Sequence, residues 1–198
     1  MAFLVLTLVS LTVLTQAQNP AFASPGHGNI HVVNGTSITN PGNYLGCMAD
    51  DGAFTLDTCA IFTHVNSTLA SQLGYCNWHD PTKPTNVDAI YGQNVHAWSC
   101  ASGLTSDGYY TLVSSYEQTP MIREERGRDG KLTSLGQRSD GPPIICHQNL
   151  DCFIDVKGIP TKPEDRLPLW EFYWGSQQVD VPAGHTRGMF LWVPVDQE

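Results

Sequence analysis

The chain has 198 residues, with 10 Lys and Arg against 19 Asp and Glu, and a formal net charge of −9. Charged residues make up 15% of it, below the usual ~25%, and hydrophobic residues make up 41%. A disordered acidic tail would carry more charge and fewer aromatic residues. A protein that coats nucleic acid would be basic, because Lys and Arg supply the affinity for phosphate. The composition therefore excludes both classes, and the length suits one domain.

The chain begins with an apolar segment, residues 3–14, broken only by Thr7, Ser10 and Thr12. This segment is too short to span a bilayer, which needs about 20 residues. It is typical of a secretory signal peptide, which we expect at residues 1–23. Cleavage after Ala17 or after Ala23 fits the small residues there. We therefore expect a secreted, extracellular protein with no membrane segment after signal removal, the alternative being a buried helix of a cytosolic domain.

A Gly/Pro-rich lead, residues 24–42, follows and is predicted to be loose or to form a first edge strand. From residue 43 to 198 short runs rich in β-branched and aromatic residues alternate with Gly, Pro, Asn and Asp. This pattern predicts an all-β domain: a single compact, disulfide-stabilised sandwich or small barrel of short antiparallel strands. Residues 66–73 could form one or two helical turns. The predicted strands are 53–56, 59–63, 95–100, 108–113, 144–146, 152–156, 169–174, 178–181 and 189–193.

One segment, residues 123–131, holds seven charged residues in nine. Asp129-Gly130 within it is a strong turn signal. We interpret the segment as a solvated hairpin tip, with a polar contact loop as the alternative.

The cysteine count agrees with export. An even number of cysteines in a secreted chain predicts disulfides, here up to three among 15 possible pairings. Two sequons, at Asn34 and Asn66, are candidate glycosylation sites in such a protein. The cysteines, all of which are disulfide candidates, are Cys47, Cys59, Cys76, Cys100, Cys146 and Cys152.

No catalytic motif is complete in the sequence. A Gly-x-Ser-x-Gly elbow and a phosphate-binding Gly loop are both absent. No two histidines are three or five residues apart, and His27 and His31, which are four apart, lie in a segment with two glycines that is an unlikely helix. Distant histidines could still converge in space. We therefore assign no catalytic residue, no metal site and no cofactor. The histidines are His27, His31, His64, His79, His96, His147 and His185.

Exposed aromatic rings on a β scaffold can stack on sugars, so the tryptophans are the weak ligand-binding candidates. Trp170, Phe172 and Trp174 would share one face of a strand, although aromatic residues more often fill a core. Trp78 lies in a loop-like segment and is the better candidate for an exposed contact. The candidates are Trp78, Trp98, Trp170 and Trp174.

Several short motifs occur along the β domain: Tyr-Leu at 44–45, Asp-Gly-Ala-Phe-Thr at 51–55, Thr-Cys-Ala-Ile-Phe-Thr at 58–63, Gly-Tyr-Cys at 74–76, Ser-Cys-Ala-Ser-Gly at 99–103, Phe-Tyr at 172–173 and Val-Pro-Ala-Gly at 181–184. With these motifs, residues 43–195 resemble the C-terminal domain of fungal ribonucleases of the T2 type. The resemblance implies an all-β accessory domain. The family's catalytic segments, His-Gly-Leu-Trp-Pro and His-Glu-x-x-Lys-His-Gly, have no counterpart here, so the resemblance argues against ribonuclease activity. Cys47, Cys146 and Cys152 depart from the pattern.

These observations favour a secreted, non-catalytic binding or accessory module. Its expected partner is an extracellular polymer such as cell-wall polysaccharide, and not nucleic acid, which the negative charge disfavours. One alternative is a copper-dependent, polysaccharide-cleaving oxidase, which would require processing immediately before His27. Another is a ribonuclease T2-related activity with an unrecognised site.

Overall fold

A computed structural model describes residues 26–38, 41–113, 143–148 and 152–195. Within these ranges the chain forms twelve strands and no helix, and every strand pairing is antiparallel. The prediction of an all-β fold of short antiparallel strands is confirmed. The predicted signal peptide and the charged segment 123–131 lie outside the described residues. The strands are β1 (Gly26–Asn34), β2 (Tyr44–Met48), β3 (Phe54–Thr55), β4 (Phe62–Val65), β5 (Thr68–Ser71), β6 (Gly74–Asn77), β7 (Ser99–Ala101), β8 (Tyr109–Val113), β9 (Pro143–His147), β10 (Ile154–Val156), β11 (Trp170–Glu171) and β12 (Thr186–Pro194).

The two longest strands, β1 and β12, pair with each other and connect the two halves of the sheet. The strand order along the sheet is β11-β10-β12-β1-β4-β5-β6-β7. Two branches leave this path, because β2 pairs with both β1 and β3, and β9 pairs with both β12 and β8. The first and last described strands therefore lie side by side, and folding must bring the two ends of the described chain together.

Strand β1 occupies the segment for which the sequence predicted a loose lead or an edge strand, and the edge position is wrong. β1 pairs with β12 along one side and with β2 and β4 along the other. Ile30 and Val32 alternate along it and are fully buried. Alternate side chains of a strand point to one face, so this short apolar pattern is enough to bury the strand despite its Gly-rich surroundings.

Residues 66–73 contain the turn and the second strand of the β4–β5 hairpin, and not the helical turns that the sequence allowed. β4 and β5 pair with Val65 opposite Thr68. Asn66 and Ser67 form the two-residue connection, with φ of 49° and 62°. Positive φ at both central residues is the geometry of the type I′ turn, whose twist matches that of the flanking strands. The turn geometry therefore decided against a helix.

The predicted strand 169–174 is shorter in the structure, and the predicted strand 178–181 is absent from the described elements. β11 covers only Trp170 and Glu171. Phe172 is buried, but Trp174 is 74% exposed, so Trp170, Phe172 and Trp174 do not share one face. Gly175 pairs with Gln178 instead, in an isolated bridge that closes a tight turn.

The core is aromatic and is held by three disulfides. Trp78 stacks on Phe190 with ring centroids 6.2 Å apart, and Trp98 packs against the same Phe190 at 5.1 Å. Aromatic pairs of this kind contribute beyond their buried area. All six cysteines are paired. The disulfides are Cys47–Cys59, Cys76–Cys100 and Cys146–Cys152, and they indicate an oxidising compartment.

Candidate ligand-binding site

The tryptophans differ strongly in their exposure to solvent. Trp78, Trp98, Trp170 and Trp192 are buried, whereas Trp174 is 74% exposed. The exposed position expected for Trp78 is therefore wrong: its indole is only 1% exposed. The reason is tertiary, because the ring packs against Phe190 of β12, more than a hundred residues away in the chain. Of the four ligand-binding candidates, Trp174 alone has an accessible ring.

Trp174 stands at the start of a tight turn. Gly175 and Gln178 exchange two backbone hydrogen bonds, of 2.8 and 3.1 Å. A Cβ on Gly175 would lie 2.5 Å from the ring of Tyr91. Only glycine lets the turn approach this ring, and the contact fixes the point from which Trp174 projects.

A second loop, residues 87–92, is joined to the turn by the buried side chain of Gln178. The carboxamide oxygen of Gln178 accepts hydrogen bonds from the backbone N–H groups of Ile90 and Tyr91. The Tyr91 hydroxyl in turn accepts a hydrogen bond from the backbone N–H of Gln177 at 3.4 Å. The turn and the loop therefore hold each other.

We call the turn 174–179 together with the loop 87–92 the Trp174 surface. Its exposed apolar side chains are those of Trp174, Val179, Val87 and Ile90, of which Val179 is 78% exposed. Ser176 and Gln177 are exposed as well and supply uncharged hydrogen-bonding groups. The loop includes the exposed Asp88, which is paired with Lys157, and the adjacent Asp180 is paired with Arg187 at 2.7 Å. An aromatic ring next to uncharged polar groups can bind a neutral ligand that has apolar faces and hydroxyl groups.

A chain of hydrogen-bonded and ion-paired polar side chains anchors the loop 87–92, and we call this chain the His185 clasp. His185 Nδ1 lies 2.7 Å from Asp155 Oδ1, and its Nε2 lies 3.4 Å from Asp88. Asn86 donates to the second Asp155 oxygen at 2.6 Å, and Lys157 donates to Asp88. The clasp therefore ties the loop to β10 and to the start of β12.

The two carboxylates of the clasp have opposite pKa shifts. Burial raises the pKa of Asp155 above its ordinary value, although the hydrogen bonds from His185 and Asn86 oppose it. The hydrogen bond from Lys157 lowers the pKa of Asp88, and burial opposes this only in part. Asp155 is buried and Asp88 is exposed, so the inner end of the clasp depends on the hydrogen bonds that His185 and Asn86 make to Asp155.

A second polar cluster surrounds His147 inside the fold. His147 Nδ1 lies 2.5 Å from Glu171 Oε1, and the Tyr173 hydroxyl donates to Glu171 Oε2 at 2.5 Å. His147 Nε2 lies 3.6 Å from Asp107, beyond hydrogen-bond distance. Imidazole, carboxylate and phenol are groups that can transfer protons. The adjoining cavity, between His147 and Trp78, measures about 10 Å³, which is room for one water at most, so no substrate or cofactor fits there.

An open groove of about 640 Å³ lies on another part of the surface, with His27, Asp50, Gln72 and Arg166 among its lining residues. The charged groups are already engaged: Gln72 donates to Asp50, and Arg166 pairs with Asp51. His27 Nδ1 lies 3.1 Å from the Thr63 hydroxyl, and its carbonyl accepts a hydrogen bond from Val195. His27 is thus built into β1, which gives no support to a copper site there.

Among residues 26–38, 41–113, 143–148 and 152–195, no group of three or more His, Cys, Asp or Glu could hold a metal ion. Over the same ranges, no helix is long and apolar enough to cross a membrane.

Sequence reasoning missed the support of Trp174, namely Gln178, Tyr91 and the His185 clasp. One local signal could have placed Trp174 correctly, because Gly175-Ser176 after it is typical of a turn. Its partners in the loop 87–92 have no such signal, since they meet it only in the folded chain.

Comparison with protein-family models, with curated proteins and with solved structures finds no match. The resemblance to the ribonuclease C-terminal domain therefore stays a prediction.

Proposed function

We propose that this protein is a secreted, non-catalytic module that binds a neutral polysaccharide through the Trp174 surface. The observation that carries the proposal is the exposure of Trp174 on a turn that Gln178 and Tyr91 hold in place. A rigid exposed indole loses little conformational entropy when a sugar ring stacks on it, so it binds at low cost.

The charge of the chain supports a neutral polymer as the ligand. A net charge of −9 repels nucleic acid and acidic polysaccharide at long range. The exposed side chains of the turn are apolar, amide or hydroxyl groups. Neutral glucans and chitin-like polymers present apolar ring faces and hydroxyl or amide groups, which match these side chains.

The three disulfides support a place outside the reducing cytosol. The closed cavity beside His147 supports a role without catalysis, because general acid–base chemistry needs the reacting atoms within hydrogen-bond reach of the side chain.

A pull-down on insoluble cellulose, chitin and β-1,3-glucan tests the proposal with Trp174→Ala and a matched control, Tyr75→Ala. Tyr75 is also an exposed aromatic residue, but it lies on β6. We expect wild type and Tyr75→Ala to bind at least one polymer, and Trp174→Ala to bind about tenfold more weakly, which corresponds to about 1.4 kcal/mol. Failure of the wild type to bind any neutral polymer, or equal binding by Trp174→Ala, would overturn the proposal.

Intrinsic fluorescence provides a second readout. Because the other four tryptophans are buried, acrylamide should quench mainly Trp174. Soluble oligosaccharides of the retained polymer should protect the wild type from this quenching. The Trp174→Phe variant should show neither the quenching nor the protection.

A further inference from the structure

Two sequons are present in the chain, and the fold places them in very different surroundings. Asn66-Ser67-Thr68 spans the tip of the β4–β5 hairpin, whereas Asn34-Gly35-Thr36 begins at the last residue of β1. N-linked glycans are bulky and occupy the surface of secreted proteins. The sequence cannot rank the two sequons, but their exposure and the packing around them in the folded chain do.

Asn66 projects from the molecule. It is exposed, as is Val65 before it, and it occupies the first central position of the type I′ turn with φ of 49°. Asn adopts this left-handed conformation more readily than most residues, because its short polar side chain can form local hydrogen bonds. The Thr68 hydroxyl donates to the Val65 carbonyl at 2.7 Å, which closes the turn within the sequon itself. A glycan on Asn66 would therefore extend away from the sheet without disturbing a strand pairing.

Asn34 is engaged in the sheet. Its Oδ1 accepts a hydrogen bond from the backbone N–H of Asn43 at 2.6 Å, and its backbone N–H donates to the Asn43 carbonyl at 3.0 Å. A Cβ on Gly42 would lie 2.0 Å from Asn34 Oδ1, so this side chain packs against the Gly42 backbone. The next residue is equally crowded, since a Cβ on Gly35 would lie 2.1 Å from Met189. A glycan here would crowd the contact between the end of β1 and residues 42–43, which lead into β2.

We propose that Asn66 carries an N-linked glycan in the mature protein and that Asn34 does not. The donor is an oligosaccharide on a polyprenyl diphosphate in the lumen of the secretory pathway. Asn66 Nδ2 forms a bond to the anomeric carbon of the first sugar. The bond from that carbon to the diphosphate oxygen breaks, the polyprenyl diphosphate leaves with the electron pair, and the proton from Nδ2 passes to a base. Transfer precedes folding, and the fold determines which modified chain can reach its native packing.

The test is expression of the full chain, with its own N-terminal segment, in a eukaryotic secretory host. Chymotryptic peptides of the reduced, secreted protein are used, because cleavage at Tyr44, Phe54 and Phe62 separates Asn34 from Asn66. They are treated with peptide-N-glycosidase in H2¹⁸O, which converts a glycosylated Asn to ¹⁸O-labelled Asp. We expect the label at Asn66 and an unlabelled Asn34. The intact mass of Asn66→Gln should lack the glycan, whereas Asn34→Gln should keep it.

Two substitutions of Thr68, whose hydroxyl completes the sequon, form a matched pair. Thr68→Ser keeps the hydroxyl and should keep the glycan, whereas Thr68→Val has nearly the same shape and should lose it. Peptide mapping of the wild type gives an answer even if a variant fails to fold. An unlabelled Asn66, a label at Asn34, or a chain that stays inside the cell unmodified would overturn the proposal.

Discussion

Gln178 accepts a hydrogen bond from the backbone N–H of Tyr91 at 3.2 Å, and this contact joins two loops that are 87 residues apart in the chain. Gln178 is buried and belongs to the turn that follows Trp174. A long polar side chain is costly to bury unless its polar atoms are bonded. Its oxygen meets that condition by accepting two backbone N–H groups, whereas its buried Nε2 has no hydrogen-bond partner among the described residues. The two bonds to the oxygen join the turn of Trp174 to the loop 87–92.

We expect Gln178→Ala to destabilise the protein by about 1–3 kcal/mol, because it leaves two backbone donors without their acceptor. Polysaccharide binding should weaken as well, since the turn loses its support. Urea denaturation and the pull-down measure the two effects. Gln177→Ala is the matched control, because the Gln177 side chain is exposed. Equal stability of the two variants would contradict the supporting role of Gln178.

The second prediction concerns the loss of stability at low pH that protonation of His64 should cause. His64 Nε2 lies 3.2 Å from the Tyr109 carbonyl, and Nδ1 lies 3.1 Å from the Thr111 hydroxyl. A neutral ring that donates from Nε2 and accepts at Nδ1 satisfies both partners. Burial lowers the pKa of His64 below its ordinary 6.5, and the hydrogen bond to Tyr109 only partly opposes this. Protonation therefore favours the unfolded chain.

The contribution of His64 to stability should be complete above pH 6.5 and should fall as the pH drops toward the lower pKa of the folded state. The slope is at most about 1.4 kcal/mol per pH unit. Urea titrations between pH 8 and pH 4 measure it, and His64→Gln should flatten it. His96→Gln, which changes a partly exposed loop residue, should keep the wild-type slope. An unchanged slope in His64→Gln would refute this assignment.

The third prediction concerns the His185 clasp. His185→Ala removes one of the two hydrogen-bond partners of the buried Asp155 carboxyl, the other being Asn86, and should cost about 1–3 kcal/mol at neutral pH. Because the pKa of Asp155 is already raised, and His185 opposes that rise, the variant should raise it further. The cost should shrink as the pH falls through this pKa and Asp155 becomes neutral.

Adding Asp155→Asn to His185→Ala should restore part of the lost stability, since the buried charge is then gone. Urea denaturation of the wild type, His185→Ala, the double variant and Lys162→Ala, each at pH 7 and at pH 4.5, measures these differences in stability. Lys162→Ala, which removes one partner of an exposed ion pair with Glu164, should change stability by less than about 1 kcal/mol. A double variant no more stable than His185→Ala alone would argue that the clasp acts through packing and not through charge.

The fourth prediction ranks the disulfides. Cys76–Cys100 spans 24 residues and Cys146–Cys152 spans 6. Loop-closure entropy predicts about 3.5 kcal/mol of stabilisation for the longer loop and about 2.3 kcal/mol for the shorter one. Paired Cys→Ala variants, compared by thermal denaturation, should therefore rank in that order. The reverse order would indicate that native packing around Cys146–Cys152 outweighs chain entropy.

The local sequence determined the class of structure. Short β-branched and aromatic runs between turn residues predicted antiparallel strands, and β8 begins and ends within one residue of its predicted run. This works because side-chain alternation and turn conformations act over a few neighbouring residues. The even number of cysteines likewise predicted disulfides, whereas their pairing required the fold, which sets Cys76 directly opposite Cys100.

Only the tertiary structure decided which groups are exposed and which meet. Trp78 lies in a loop-like segment yet is buried, because β12 brings Phe190 beneath it. Trp174 lies in an aromatic run yet is exposed, because Gly175 turns the chain there and Gln178 anchors that turn to a distant loop. The sequence gives each tryptophan its local conformation, but burial depends on residues far along the chain. That dependence is the physical reason why the candidate site could be named only after the chain was folded.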